Sequence, residues 1–271
     1  MKLITPFRIL VLWTAVTAAL LLLGAPLGYR LGWWHFRTGL QGLQPWAAYM
    51  GLAAAVLAIV ALAVPKVRAR GALVLVGTLA VGLATCYVPY QWQQRARSVP
   101  RIHDISTDTE NPPLFVAVLP LRQGAENTAA YGGKEIAEQQ RKAYPDIQPL
   151  VLGVPPQVAF ARALDAAESM GWTMVTSNPA EGRIEATDKT LWYGFKDDVV
   201  IRVAPSGNGS KVDVRSVSRV GRSDIGMNAQ ESREMLGLCC NKHLLHLKVH
   251  VRIPTLKNGA QLPVQRPHSR L

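Results

Sequence analysis

Three long apolar runs come first along the chain. Phe7–Ala25 (FRILVLWTAVTAALLLLGA), Trp46–Val64 (WAAYMGLAAAVLAIVALAV) and Gly71–Tyr90 (GALVLVGTLAVGLATCYVPY) contain no Asp, Glu, Lys or His, and Arg8 stands at the edge of the first. A hydrocarbon core about 30 Å thick takes about 20 such residues as a helix. The pattern therefore predicts transmembrane helices at about 7–25, 46–64 and 71–90, within a membrane domain of residues 1–94. Lys2 and Arg8 ahead of the first run imitate a secretory signal. The cleavage site around Leu23, Gly24, Ala25 and Pro26 is poor, however, and two more runs follow, so an uncleaved helix is expected. Gly51, Ala55, Gly71, Gly77 and Gly82 predict close helix approach within the chain.

Beyond residue 94 the period changes. Residues 95–103 read as a juxtamembrane linker, and DISTDTENPP as an extended, turn-rich segment pinned by Pro112-Pro113. GGKEIAEQQRKAYPDI predicts a short helix ending near Tyr144, because the residue before a proline avoids the helical region. In PPQVAFARALDAAESMGW, Phe160, Ala163, Leu164, Ala167 and Met170 recur at helical spacing, opposite Arg162, Asp165 and Glu168. Prolines open that helix and Gly171 closes it. Strand patterns follow at Trp172–Thr176, Arg183–Thr187, Phe195–Val203 and Lys211–Val220, separated by Asn178-Pro179 and by SGNGS at 206–210. Connections this short make the strands antiparallel. A last helix begins near Met227. The expected class is α+β: three N-terminal transmembrane helices, then a soluble domain at 104–240 built on a four-stranded antiparallel meander flanked by helices. Residues 241–271 are expected to be a poorly ordered basic tail.

Composition sharpens this division. The chain has 271 residues, 49% hydrophobic and 18% charged, against about a quarter charged in a soluble domain. No carboxylate precedes Asp104, and all eighteen acids lie between Asp104 and Glu234. An ordinary globular N-terminal half is excluded, and so is intrinsic disorder, which needs low hydrophobicity. The net charge is +12, yet residues 104–230 carry −3. The positive charge flanks the spans or lies in the tail, so no nucleic-acid partner is expected and the lipid bilayer is. Lys/Arg alone split evenly between the two sides. The short PKVRAR loop is the feature for which positive-inside bias works best, and Tyr29, Trp33, Trp34, Trp46, Tyr49, Tyr87, Tyr90 and Trp92 gather at the other side. The soluble domain is expected on the non-cytoplasmic side. Without an ionisable group inside a span, transport by these helices is not expected.

DISTDTENPP, AYPDI, MGW, GRIEATDKTLWYGFKDDVVIRV and VDVRSVSRVGRSDIGMNA together resemble the family called domain of unknown function 1499, over about Ile102 to Asn228. Members of it with preceding membrane helices imply a bacterial inner-membrane protein of the cell envelope. The family carries no assigned catalytic residues, and this sequence departs from its pattern after Gln230.

Candidate chemistry is sparse. Asp104, Ser106, Asp108 and Glu110 alternate like a calcium loop, but Thr109 and Phe115 stand where an EF-hand needs Gly and Glu. Cys239, His243, His246 and His250 share one face only if the tail is helical, whereas LKVHVRI reads as strand. Cys239-Cys240 are adjacent and Cys86 lies in a span, so no disulfide framework follows. A Ser223–His103–Asp104 triad has no spacing to support it. No catalytic residue, cofactor or metal is expected. Arg202, Arg215, Arg219 and Arg222 lie among Asp197, Asp198, Asp213 and Asp224, where cross-strand ion pairing is the simplest outcome. The sharper expectation is an anion site at Arg202, Arg215, Arg219, Arg222, Ser223 and Asp224, since guanidinium forks take phosphate or carboxylate. The functional expectation is a non-enzymatic envelope component whose soluble domain binds a partner protein or an anionic ligand. The alternative is an envelope enzyme acting through the Arg219–Asp224 loop.

Overall fold

The computed structural model describes residues 4–69 and 71–240. Three helices are long and apolar enough to cross a membrane: α1 (Ile4–Arg30), α2 (Gln44–Ala63) with the π-helical turn before it, and α4 (Ala72–Ser98). The one-turn α3 (Pro65–Arg68) fills the basic loop between the last two. α1 and α4 have 27 residues each, or about 40 Å. Both run past the apolar ranges of the sequence, because a helix continues into the headgroup zone once its backbone bonds are made. Small residues set the packing, within the chain as expected. A Cβ on Gly82 would stand 2.7 Å from the Gly51 carbonyl oxygen and 2.9 Å from the Ala55 nitrogen. Gly77, by contrast, lines an apolar groove between α1 and α4 together with Leu12, Val16, Val74 and Val81. Arg8 of α1 donates to the Val67 carbonyl of α3 and so ties down the basic loop.

The soluble part comprises β1 (Asp104–Ser106), α5 (Gly133–Ala143), β2 (Leu150–Leu152), α6 (Pro156–Ser169), β3 (Thr173–Asn178), β4 (Arg183–Lys189), β5 (Lys196–Ser206), β6 (Gly209–Ser218) and α7 (Met227–Cys240). β3 to β6 form the expected antiparallel meander. The sheet nevertheless has six strands, in the order β1-β6-β5-β4-β3, with β2 also on β6. β1 pairs with one end of β6 (Asp104 opposite Val217) and β2 with the other (Leu150 opposite Val212). Each is three residues long, too short to show a period, and each exists because β6 offers an open row of backbone partners. The tail at 241–271, with His243, His246 and His250, lies outside the described residues.

Both faces of the sheet are buried, by different means. Ile184, Ala186, Val199, Ile201, Val203, Val212 and Val214 point to one face and pack against Ala159, Phe160, Ala163 and Ala167 of α6 and Met235 and Cys239 of α7. The other face carries charged residues and is roofed by the segment 107–131, including a 3-10 turn at Leu119–Arg122.

The domain rests on the loop between α1 and α2. The β4–β5 turn sends Tyr193 and Phe195 (stacked, centroids 5.0 Å apart) against Tyr29 and Phe36. Arg30 donates to the Leu191 carbonyl at 2.8 Å, and Glu126 pairs with His35 and Arg37 at 2.9 and 3.0 Å. Tyr193 is 1% exposed. Gly194 holds a positive φ of 73° there, a conformation that glycine adopts without a Cβ penalty.

Candidate functional site

Strand alternation places Glu185 and Thr187 of β4, Asp198, Val200 and Arg202 of β5, and Asp213, Arg215 and Val217 of β6 on the roofed face, as the cross-strand register shows. The carboxylates and guanidinium groups there satisfy one another. Arg215 is 0% exposed and grips Asp104 with two hydrogen bonds, Nε to Oδ1 at 2.9 Å and Nη2 to Oδ2 at 2.8 Å. Its remaining donors reach the carbonyls of Pro113 and Ala129, and its plane lies between Phe115 and Tyr131, 5.1 and 5.4 Å from their centroids. Burial pushes the Asp104 carboxyl up, and the Arg215 fork pulls the other way. Asp198 receives both Arg219, at 2.8 Å, and Arg122. Arg202 bridges Asp213 and Asp108 at 2.8 and 3.1 Å, and Lys211 joins the same two acids. Glu185 instead accepts the backbone N–H groups of Val116, Ala117 and Val118, which fastens the roof.

The six anion-site candidates thus fall into two groups. Arg202, Arg215 and Arg219 are engaged by the protein's own acids. Arg222, Ser223 and Asp224 belong to the loop after β6. Asp224 accepts the N–H groups of Gly226 and Asn228 at 3.2 and 2.6 Å and caps α7. Ser223 Oγ donates to the Pro100 carbonyl at 3.3 Å, and the Asp224 N–H to that of Ile102 at 3.4 Å. Arg222 is exposed and makes no ion pair among the described residues. No hydrogen bond links the side chains of Ser223, His103 and Asp104 as a triad: Ser223 Oγ meets the linker, Asp104 meets Arg215, and His103 bonds the backbone of Arg222. The alternating acids are similarly spent, Asp108 on Arg202 and Lys211, Glu110 on Arg141. Cys239 is buried against Met235, and burial pushes its thiol up to about 12.

A second cluster lies on the helix-covered face, where the apolar core ends. Asp188 of β4 stands opposite Asp197 of β5, and Asp197 opposite Ser218 of β6. Glu231 of α7 comes down onto this row. One carboxylate oxygen from each of Asp188, Asp197 and Glu231 lies within 4.8 Å of the others. Ser218 hydrogen-bonds Asp197, and the Ser216 hydroxyl donates to Glu231 Oε2 at 3.0 Å. Burial, then the neighbouring carboxylates, raise both Asp197 and Glu231 above the ordinary range. Sequence reasoning passed over this trio. Asp197 shares a face with Val199, Ile201 and Val203, and a carboxylate on an apolar stripe is a legible signal; Glu231 gives none before α7 is docked.

Sheet, helices and charged roof define an α+β domain carried behind three membrane-length helices. The family model described as Protein of unknown function (DUF1499) matches residues 104–237, so the α+β domain is similar to that family, in agreement with the resemblance of its sequence segments. The match runs past Gln230, where a departure from the family pattern is expected, into α7. No curated protein and no solved structure matches the chain.

Proposed function

We propose that this protein is a non-enzymatic component of the bacterial cell envelope, integral to the inner membrane, whose domain lies outside the cytoplasm and binds an anionic ligand: the phosphate headgroups of the surrounding lipid. The attachment of the Arg219–Asp224 loop to the juxtamembrane linker carries this proposal. Through Ser223 and Asp224 the loop is tied to Pro100 and Ile102. Exposed Arg222 therefore stands by the linker that follows exposed Arg95 and Arg97 of α4 and contains exposed Arg101. Tyr90 and Trp92 mark the headgroup depth just before them. Each arginine near an anionic surface is worth on the order of 1 kcal/mol. The engagement of Arg202, Arg215 and Arg219 by internal acids leaves Arg222 as the exposed arginine of the loop for this role.

Native mass spectrometry of the full-length protein, exchanged into equal phosphatidylglycerol and phosphatidylcholine, tests this. The parent should retain phosphatidylglycerol selectively. Arg222→Ala should reduce that retention about tenfold, the worth of one hydrogen bond to a charged group, without shifting the unfolding transition. Equal retention would end the lipid proposal. It would leave the exposed apolar strap of Leu114, Val116, Leu119 and Leu121 as the surface for a partner protein.

A further inference from the structure

Among the described residues, four of the six buried carboxylates in this domain meet a cation, and Asp197 and Glu231 do not. Asp104 is held by Arg215, Asp198 by Arg122 and Arg219, Asp213 by Arg202 and Lys211, and Glu185 by Arg183 and three backbone N–H groups. Asp188, Asp197 and Glu231 have no cationic partner among the described residues. The Ser216 hydroxyl donates to Glu231, and Ser218 hydrogen-bonds Asp197. We propose that Asp188, Asp197 and Glu231 bind a hard divalent cation, calcium before magnesium, at the rim of the helix-covered face. This site stands independently of lipid binding by Arg222.

Geometry and orphaned atoms carry the proposal together. Calcium sits about 2.3–2.6 Å from its oxygens and so spans oxygens up to about 5 Å apart, whereas magnesium at about 2.1 Å needs a tighter set. One oxygen from each carboxylate lies within 4.8 Å of the others. Glu231 is only 5% exposed; its Oε2 accepts from Ser216, but its Oε1 meets no donor. The group against that carboxyl is another acid, Asp188. One helical turn earlier, on the same face of α7, Asn228 is 0% exposed and its Oδ1 is also without a partner. Its amide nitrogen is committed to His103 O and Ser218 Oγ at 2.9 and 3.2 Å. Two buried oxygens on this face of α7 thus lack a donor, and a cation held by the trio would complete that of Glu231. The donors are all oxygen, with no histidine or thiol in the trio, which selects hard ions over zinc or copper. Asp188 is half-buried and provides the way in. The competing arrangement is a proton shared between Asp188 and Glu231.

The experiment uses full-length protein stripped with a chelator and held at about pH 7.5, where carboxylates compete well for metal. Calcium, magnesium and manganese chlorides are titrated singly to about 10 mM, a range that covers weak extracellular-type sites. Thermal unfolding and titration calorimetry are read together. Calcium should raise the parent's transition in a saturating manner, as a ligand of the native state does. Asp188→Asn, at the half-buried and most tolerant position, should weaken calcium binding about tenfold. Glu231→Gln should abolish the calcium-dependent rise while matching or exceeding the parent's transition in chelator, because it replaces a buried carboxyl that faces other acids with a neutral amide of similar shape. Glu234→Gln, exposed on the same helix, should bind as the parent does. A parent indifferent to all three cations, or an Asp188→Asn variant that binds calcium undiminished, would overturn the site and leave a proton-sharing cluster.

Discussion

At the scale of single residues, Arg215 shows why an arginine cannot be exchanged for another cation. Its Nε, Nη1 and Nη2 reach two carboxylate oxygens and two carbonyls, and two rings hold its plane. A lysine offers a point charge and no fork. Arg215→Ala should cost about 3–5 kcal/mol in denaturant unfolding, since it strands Asp104 as a buried, uncompensated charge. Adding Asp104→Asn should recover part of that loss; no recovery would mean that packing rather than charge dominates. Asp108 gives the acid dependence. Burial raises its pKa, but the Asn111 N–H, Lys211 and Arg202 outweigh burial and hold the carboxyl below its ordinary value. A depressed carboxylate contributes stability that is complete above the unfolded value, about 3.9, and is lost as pH falls through the lower folded value. Asp108→Asn should therefore unfold earlier than the parent at about pH 5 and converge with it towards about pH 2. Parallel curves across that interval would remove Asp108 from the acid limb.

Among the elements, α2 and α4 meet where neither has a side chain to spare. A Cβ on Gly51 would fall 2.2 Å from Thr85 Oγ1 and 2.8 Å from the Gly82 carbonyl. Gly82→Val should cost about 1–3 kcal/mol as overpacking, read as an earlier loss of helix by circular dichroism in detergent. Gly77→Val, which faces open groove, should leave the transition in place. The meander was legible because β5 and β6 alternate over 11 and 10 residues and end in a glycine-rich hairpin. β1 and β2 were not, for a three-residue strand is specified by its partner. The same holds for the charged ladder. Its residue types were plain, and which arginine meets which acid depended on the register of β5 against β6 and on the roof at 107–131.

For the whole molecule, the contact between the β4–β5 turn and the first loop makes the domain and the helices one body. Tyr193 and Phe195 lie in TLWYGF, one of the segments that carries the family resemblance, and they turn out to dock on Tyr29 and Phe36 at the end of α1 and in the loop after it. This contact and the basic α3 loop lie at opposite ends of the helices, which allows the orientation to be tested. A reporter enzyme that folds only in the periplasm should be active when fused after Asp104 and inactive when fused at Arg68. The reverse pattern would put the domain in the cytoplasm and with it the arginines around Arg222.

By itself the sequence determined what repeats locally: three apolar stretches long enough for a bilayer, a helix with one buried face, four alternating strands, and a carboxylate-free first hundred residues. Such features are encoded by period and composition, each visible within a dozen or two neighbouring positions. Only the tertiary structure decided what each charge meets. Asp104 finds Arg215 across 111 positions, and Glu231 reaches Asp188 and Asp197 only once α7 lies on the sheet. Ion pairs and oxygen clusters depend on distances of a few ångströms between residues far apart in the chain, and no local pattern records those distances.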